Sequence, residues 1–340
     1  MRFQARACES LGSRLYGHLL QCVATDLTEG GPSREILQGH ESDAGGSALP
    51  LRLMGAVNRL VLDGEEPALD RIYRDAERDE EAAWQEFRSV LERHPDRLRA
   101  LVDRPVQTNE VGRCAALLPG FLAVAAESGL PLRLLEVGAS AGLNLNWDSY
   151  RYVSDFTSWG PPGSPLVIPF ELDGDAAFPA VDRVEIAERR GCDAAPIDPA
   201  DLEGRLDLLA YIWPDQVDRI ERMRAAVEIA SERRIGVERA GAAAWTQRIL
   251  QDASPRCATV LFHSIVEQYL GDEELAAFHR TVREAGQRAT RVAPLAWLRM
   301  EPDGDRAAVW LTVWPGGEDR LLARAGYHGT PVELHPPTAG

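Results

Sequence analysis

Residues Arg133–Asn144 read Arg-Leu-Leu-Glu-Val-Gly-Ala-Ser-Ala-Gly-Leu-Asn. Leu132, Leu134, Leu135 and Val137 make an apolar run that suits a strand covered on both faces. Gly138, Ala139, Ser140, Ala141 and Gly142 then form a turn with almost no side-chain bulk. A turn of that kind lets a ligand come close to the backbone, and a helix that follows it would aim free N–H groups at that ligand. Glu136 stands just before the turn, where a carboxyl group can take hydrogen bonds from a ligand or from the loop. A tight strand–helix turn that serves packing alone is the competing reading.

Outward from this stretch the chain changes character. Upstream it reads as helical, with 3–4 spacing of apolar residues over Leu49–Leu62 and Trp84, Phe87, Val90 and Leu91 on one side of 80–93. Residues 111–127 form another apolar helix leading into the strand at 132–138, and Gly39–Ser47 is a polar loop. Downstream, strands and helices alternate, as in an α/β sheet. Strands are expected at Leu206–Trp213, Ile235–Val237 and Ala258–His263. Helices are expected over 215–232, 242–250 and from Asp272 to Gly286. The Gly/Pro/Asp-rich stretch 151–180, with a strand at Leu166–Phe170, is longer than an ordinary connection and reads as an inserted cover. Three strands close the chain, 290–300, 307–314 and 320–328, the last two joined by a turn at Pro315–Asp319. The expected organisation is a helical cap, 1–125, and an α/β domain, 126–340, with an insertion at 151–205. Its sheet is mainly parallel, with strand 132–138 central and a C-terminal antiparallel hairpin.

The 340 residues are 45% hydrophobic and 26% charged, with a formal net charge of -16. That acidity gains nothing from counterion release, so nucleic acid is not an expected partner. All 37 Lys/Arg positions are Arg. The absence of Lys argues against a Walker P-loop, a pyridoxal Schiff base and a protein kinase site. Five scattered cysteines, never spaced C-x-x-C, and seven histidines without an H-x-x-x-H pair support neither a disulfide framework nor a metal site. No apolar run has membrane-spanning length and the N-terminus carries no secretory h-region, so a cytoplasmic protein is expected.

Several motifs are similar to those of DUF2332, a family of uncharacterised bacterial proteins. They are Gln-Thr-Asn-Glu-Val-Gly-Arg at 107–113, the run Leu134–Tyr152, Arg189–Asp198, Ile212–Gln216, Phe262–Ser264, Leu295–Glu301 and Trp310–Gly317. The E-x-G-x-x-x-G pattern also resembles the first motif of class I S-adenosylmethionine (SAM) methyltransferases. That resemblance implies a Rossmann-like methyltransferase-type fold, SAM as cofactor and transfer of a methyl group to a small-molecule acceptor. Where many such enzymes have a middle glycine, this chain has Ser140.

On that resemblance Glu136, Gly138, Ala139, Ser140, Gly142 and Asn144 are cofactor-binding candidates. A ribose would need a carboxylate to accept from two hydroxyls, and Asp193 and Asp215 compete for the role. Either is equally a turn or cap residue. Gln107, Asn109 and Arg113 are acceptor-binding candidates, with Glu110 as a catalytic one; capping of the following helix by Thr108 or Asn109 is the competing reading. Asn144, Asn146 and Asp148 make the helix after the turn short or irregular. Asp148 is a further substrate candidate, whereas Trp147 and Tyr150 read equally well as core. His263 ends a buried strand and is the general-base candidate. Two other functions stay open: a SAM- or nucleotide-binding regulatory protein without turnover, and a serine hydrolase, because Gly138–Gly142 also fits G-x-S-x-G with Ser140 as nucleophile.

Overall fold

The computed structural model describes residues 1–41, 48–75, 79–173 and 181–335. Most of the expected loop Gly39–Ser47 and the end of 151–180 lie outside them. The chain divides into two compact units, Met1–Thr108 with Asp201–Met223, and Asn109–Ala200 with Arg224–Gly340.

Helices build the first unit: α1 (Arg2–Ser10), α2 (Arg14–Glu29), α3 (Pro32–Ile36), α4 (Leu49–Leu62), α5 (Pro67–Arg74), α6 (Glu80–Arg93) and α7 (Pro95–Val102). Their apolar faces meet in one core that includes Leu19, Leu53, Val57, Phe87, Val90 and Leu98. The Asp215 carboxylate belongs to this unit. It accepts from Ser13 Oγ at 2.7 Å and from Leu15 N at 3.3 Å, which ties down the start of α2. Asp215 thus acts as a capping group within this unit, and the other ribose candidate, Asp193, falls in the second unit.

The second unit opens with α8 (Arg113–Ser128), which leads into β1 (Leu132–Val137), buried at every position. A 3-10 helix, Asn144–Ser149, follows the glycine turn in place of an α-helix. The small strands β2 (Arg151–Val153), β3 (Ser158–Trp159) and β4 (Val167–Pro169) pair in the order β3-β2-β4. After β5 (Leu172–Asp173) comes β6 (Ile186–Asp193). The expected strand at Leu206–Trp213 is instead α9 (Leu202–Ala210), in the helical unit, and α10 (Val217–Arg233) carries the chain back. Then follow β7 (Val237–Arg239), α11 (Ala242–Ile249), β8 (Ala258–Ser264), α12 (Asp272–Arg288), β9 (Leu295–Asp303), β10 (Arg306–Trp314), β11 (Glu318–Ala325) and β12 (Val332–Leu334).

Among the described residues the main sheet has nine strands in the order β5-β12-β11-β10-β9-β8-β1-β6-β7. β1 is interior, parallel to β6 on one side and to β8 on the other. β10 runs antiparallel to both β9 and β11, so the sheet closes in the expected hairpin. The fold is mixed α/β with a large, mostly parallel sheet. Its division differs from the expected one in two respects. The first stretch of the helical unit stops at Thr108, not near 125, and Asp201–Met223 joins it; and β6, inside the expected insertion, is a full member of the sheet.

The two sheet faces are distinguished by side-chain alternation. Leu135, Val137, Leu261 and Trp297 face α11 and α12 with Trp245, Phe278 and Val282. Phe262 faces the other way, meeting Phe121 of α8 edge-on at 5.1 Å.

Candidate functional site

The turn after β1 is built on left-handed backbone at alternate residues: φ is +68° at Gly138, +52° at Ser140 and +70° at Gly142. Glycine adopts this conformation freely, and a serine does so at a cost. A Cβ on Gly138 would lie 2.5 Å from Val266 Cγ2, so the glycine also permits a close contact.

The amides of this turn all have protein partners. Ala139 N donates to Cys192 O and Gly142 N to Ala139 O. Ser140 N donates to Asp193 Oδ2 at 2.9 Å. Ala141 N and Leu143 N both donate to Asn109 Oδ1, at 3.2 and 3.1 Å. The expectation of free N–H groups at a helix N-terminus is thereby corrected: the donors are engaged, and no α-helix follows. An anion cradle needs open donors, so this turn is not built for a phosphate.

Glu136, at the end of β1 on the α8 face, is buried to 2%. Asn144 Nδ2 donates to its Oε1 at 3.3 Å, while its Oε2 is buried with no hydrogen-bond partner. Cys114 Sγ of α8 donates to Asn144 Oδ1. Burial pushes the Glu136 carboxyl well above the usual carboxylate range; the bond from Asn144 opposes this, the charge of Asp193 adds to it, and Arg113 opposes it. Asp193 ends β6, the parallel neighbour of β1, and its Oδ1 also accepts from Ala195 N at 2.8 Å.

The 107–113 segment does something the sequence did not suggest. Asn109 clamps the glycine turn and does not cap α8, whose first turn is preceded by Gly112 without a side-chain cap. Glu110 Oε1 accepts from Gly112 N. Arg113 donates to Tyr327 O and to Ser264 O, joining the start of α8 to the end of β8. Gln107 falls in the other unit. Asp148 forms a two-pronged ion pair with Arg189, at 2.7 and 2.8 Å. Trp147 is core, stacked on Phe121 at 4.4 Å, and Tyr150 donates to Leu143 O.

His263 lies on the opposite face of the sheet from Glu136, with its ring 5.5 Å from that of Phe278. Trp297 Nε1 donates to its Nε2 at 3.0 Å, and its Nδ1 pairs with Glu301 Oε1 at 2.7 Å. An indole N–H only donates, so Nε2 accepts and Nδ1 carries the proton toward Glu301. The Nε2 lone pair is in use. His263 is thus engaged by Trp297 and Glu301 on the α12 side of the sheet, while Glu110 accepts from Gly112 N just ahead of α8. Glu301 also accepts from Val266 N and Glu267 N. Sequence reasoning passed over Glu301 and Val266. The period-two run Trp297, Arg299, Glu301 in β9 is the signal that places these polar groups on one face, with the Arg299 guanidinium 4.3 Å over the Trp297 ring.

Beside the turn a cleft of about 540 Å³ opens between Pro196–Ala200 and the end of α10 with Ile235–Val237. Ile197 N donates to Ser140 O, and Val237 packs against Gly142, which places the cleft next to the glycine turn. Among the described residues no group of three or more His, Cys, Asp or Glu is arranged to hold a metal, and no helix is long and apolar enough to cross a membrane.

Fold and site together define a mixed α/β protein with a glycine turn and two acids at the carboxyl edge of adjacent parallel strands. The chain belongs to DUF2332, a family described as uncharacterized proteins conserved in bacteria, whose profile matches residues 1–334. No curated protein and no solved structure matches it.

Proposed function

We propose that the sheet unit binds SAM at the glycine turn and transfers its methyl group to a small-molecule acceptor. The observation that carries this reading is Glu136. A buried carboxyl oxygen without a partner costs roughly 1–3 kcal/mol, and such groups call for an explanation. An ammonium group, which the amino-acid end of SAM provides, would complete it. Asp193 retains acceptor capacity beyond its two amide bonds and would meet the ribose hydroxyls. Gly138, Ala139, Ser140 and Gly142 would leave room for close approach, with Asn144 orienting Glu136. When bound, SAM supplies an electrophilic methyl group on a sulfonium sulfur. Glu110 and Arg113 stand near the Cys114–Glu136 cluster and would bind the acceptor.

Calorimetric titration of the purified protein with SAM and S-adenosylhomocysteine tests the reading. Binding weaker than about millimolar sinks it. Burial favours the protonated form of Glu136 and an ammonium ion would favour the ionised one, so binding should release protons and its heat should vary with the buffer's ionisation enthalpy.

The engagement of His263 favours a second reading, a SAM-binding protein without turnover. Binding without product across a broad acceptor screen would select it. The strained Ser140 backbone keeps the hydrolase reading in play, and covalent labelling of Ser140 by a fluorophosphonate would establish it over both.

A further inference from the structure

The turn that follows β8 is strained and sits on the glycine turn. Ile265, a β-branched residue, has φ +57°, a conformation that bulky side chains rarely adopt and that persists only where neighbours enforce it. Its neighbours supply that enforcement. Ile265 N donates to Met300 O. Glu301 takes the next two amides, Val266 N at 3.0 Å and Glu267 N at 3.3 Å, and is itself held by His263. Arg113 holds Ser264 O from the other side. The result seats the half-buried Val266 side chain on Gly138.

We propose that Ser264–Glu267 is a strap closed over Gly138, with Val266 as its plug and Glu301 as its positioning residue, and that it must lift before a ligand reaches the glycine turn. Relief of the Ile265 backbone favours lifting, and the Glu301 bonds hold the strap closed. This rests on the glycine turn being a ligand site, but its test uses no ligand, so the two can fail separately.

Two native thiols provide the readout. Cys192 is buried, packs in the same cluster as Val266 and takes a hydrogen bond from the Gly138 backbone. Cys114 is equally buried, on the α8 face. Alkylation by iodoacetamide, followed peptide by peptide in the intact protein, should be slow at both. In Glu301→Gln and in Val266→Ala, Cys192 should react about tenfold faster with Cys114 unchanged, the pattern of a local opening. No acceleration at Cys192, or equal acceleration at both cysteines, overturns the strap. Val266→Ala is a small truncation at a half-buried position and keeps the test independent of how well Glu301→Gln folds. Hydrogen exchange at the Val266 and Glu267 amides gives a parallel measure: it should quicken in Glu301→Gln while Leu132–Val137 stays protected, and unchanged exchange there likewise rejects the proposal.

Discussion

Glu136 and Glu301 are both carboxyl groups toward the carboxyl ends of strands in one sheet, and their surroundings differ in kind. Glu301 has three partners: a histidine and two backbone amides spread over both oxygens. Glu136 has a single long bond from Asn144 and one oxygen with none. The first arrangement is complete within the protein. It organises a turn and leaves nothing for a ligand to add. The second is incomplete, and burial makes the deficit costly. A site is better recognised by what its polar groups still lack than by the residue types it contains. By that measure His263, chemically the more suggestive group, already has its partners in Trp297 and Glu301.

The largest expected effect tests whether the glycine turn is a site at all. Gly138→Val adds a branched side chain at φ +68°, where Val266 must move to make room. The variant should stay folded, losing roughly 1–3 kcal/mol of stability to backbone strain. Its affinity for S-adenosylhomocysteine in a titration should fall about 100-fold or more. Wild-type affinity in the variant would remove the glycine turn from consideration and with it the contrast between the two acids.

The next pair exchanges stability against binding. His263→Ala leaves the Trp297 N–H unpaired and removes one of the two donors to Glu301 Oε1, and should cost about 2–4 kcal/mol in denaturant unfolding at roughly 1–3 kcal/mol per unmade buried bond. Its effect on ligand affinity should be slight. Glu136→Gln should do the reverse: unfolding free energy no more than about 1 kcal/mol below wild type, because the replacement is nearly isosteric and has no charge to bury, and binding lost with the charge. If Glu136→Gln unfolds the protein while His263→Ala leaves it intact, the assignments are interchanged.

The two acids also explain which features were legible in the sequence. The strand Leu132–Val137, the small-residue turn, the irregular helix after it and the final antiparallel hairpin all carry local signals: an apolar run, glycine spacing, helix-poor Asn and Asp, and a Pro-Gly-Gly turn. β6 carried a signal only at its end, where the stretch around Asp193 resembles a second-strand ending, because Glu188, Arg189 and Arg190 give the rest the look of a surface segment. In the fold their charges are paired with Arg133, Asp148 and Glu238. The α9 segment misled in the opposite direction. Leu206–Trp213 is too short and too uniformly apolar for periodicity to separate strand from helix, and Asn58 of α4 holds its end by donating to Ala210 O and Ile212 O. The site was half legible. The motif pointed to Glu136 and left Asp193 and Asp215 as alternatives, but the unpaired Oε2 and the Asn109 clamp depend on long-range packing that no local pattern encodes.

Titration sharpens the contrast further. Burial raises the Glu136 carboxyl above its ordinary value in the folded state, so folding favours the protonated form. That contribution is complete below the ordinary carboxyl range and is lost as pH rises through the raised folded value. The stability difference between wild type and Glu136→Gln, measured by unfolding at a series of pH values, should therefore move against the wild type as pH increases. A difference that is flat, or that moves in the wild type's favour, would mean that Glu136 is ionised and partnered like Glu301.

The smallest expected effect concerns Ser140, where the chain departs from the glycine pattern of its resemblance. Ser140 N is bonded to Asp193 and Ser140 O to Ile197 N, so the flanking structure holds φ at +52° whatever side chain is present. Ser140→Ala and Ser140→Gly both remove the hydroxyl, and their difference isolates the backbone. Alanine keeps the Cβ that disfavours left-handed geometry, whereas glycine removes it. Glycine gives up part of this gain through the freedom it adds to the unfolded chain. The net advantage of Ser140→Gly over Ser140→Ala should be about 1 kcal/mol, read as a higher thermal midpoint. Ligand affinity then separates the roles of the residue. If both variants bind S-adenosylhomocysteine as wild type does, Ser140 only stands in for a glycine. If both lose binding equally, the hydroxyl itself contacts the ligand, and the departure from glycine is a feature of the site.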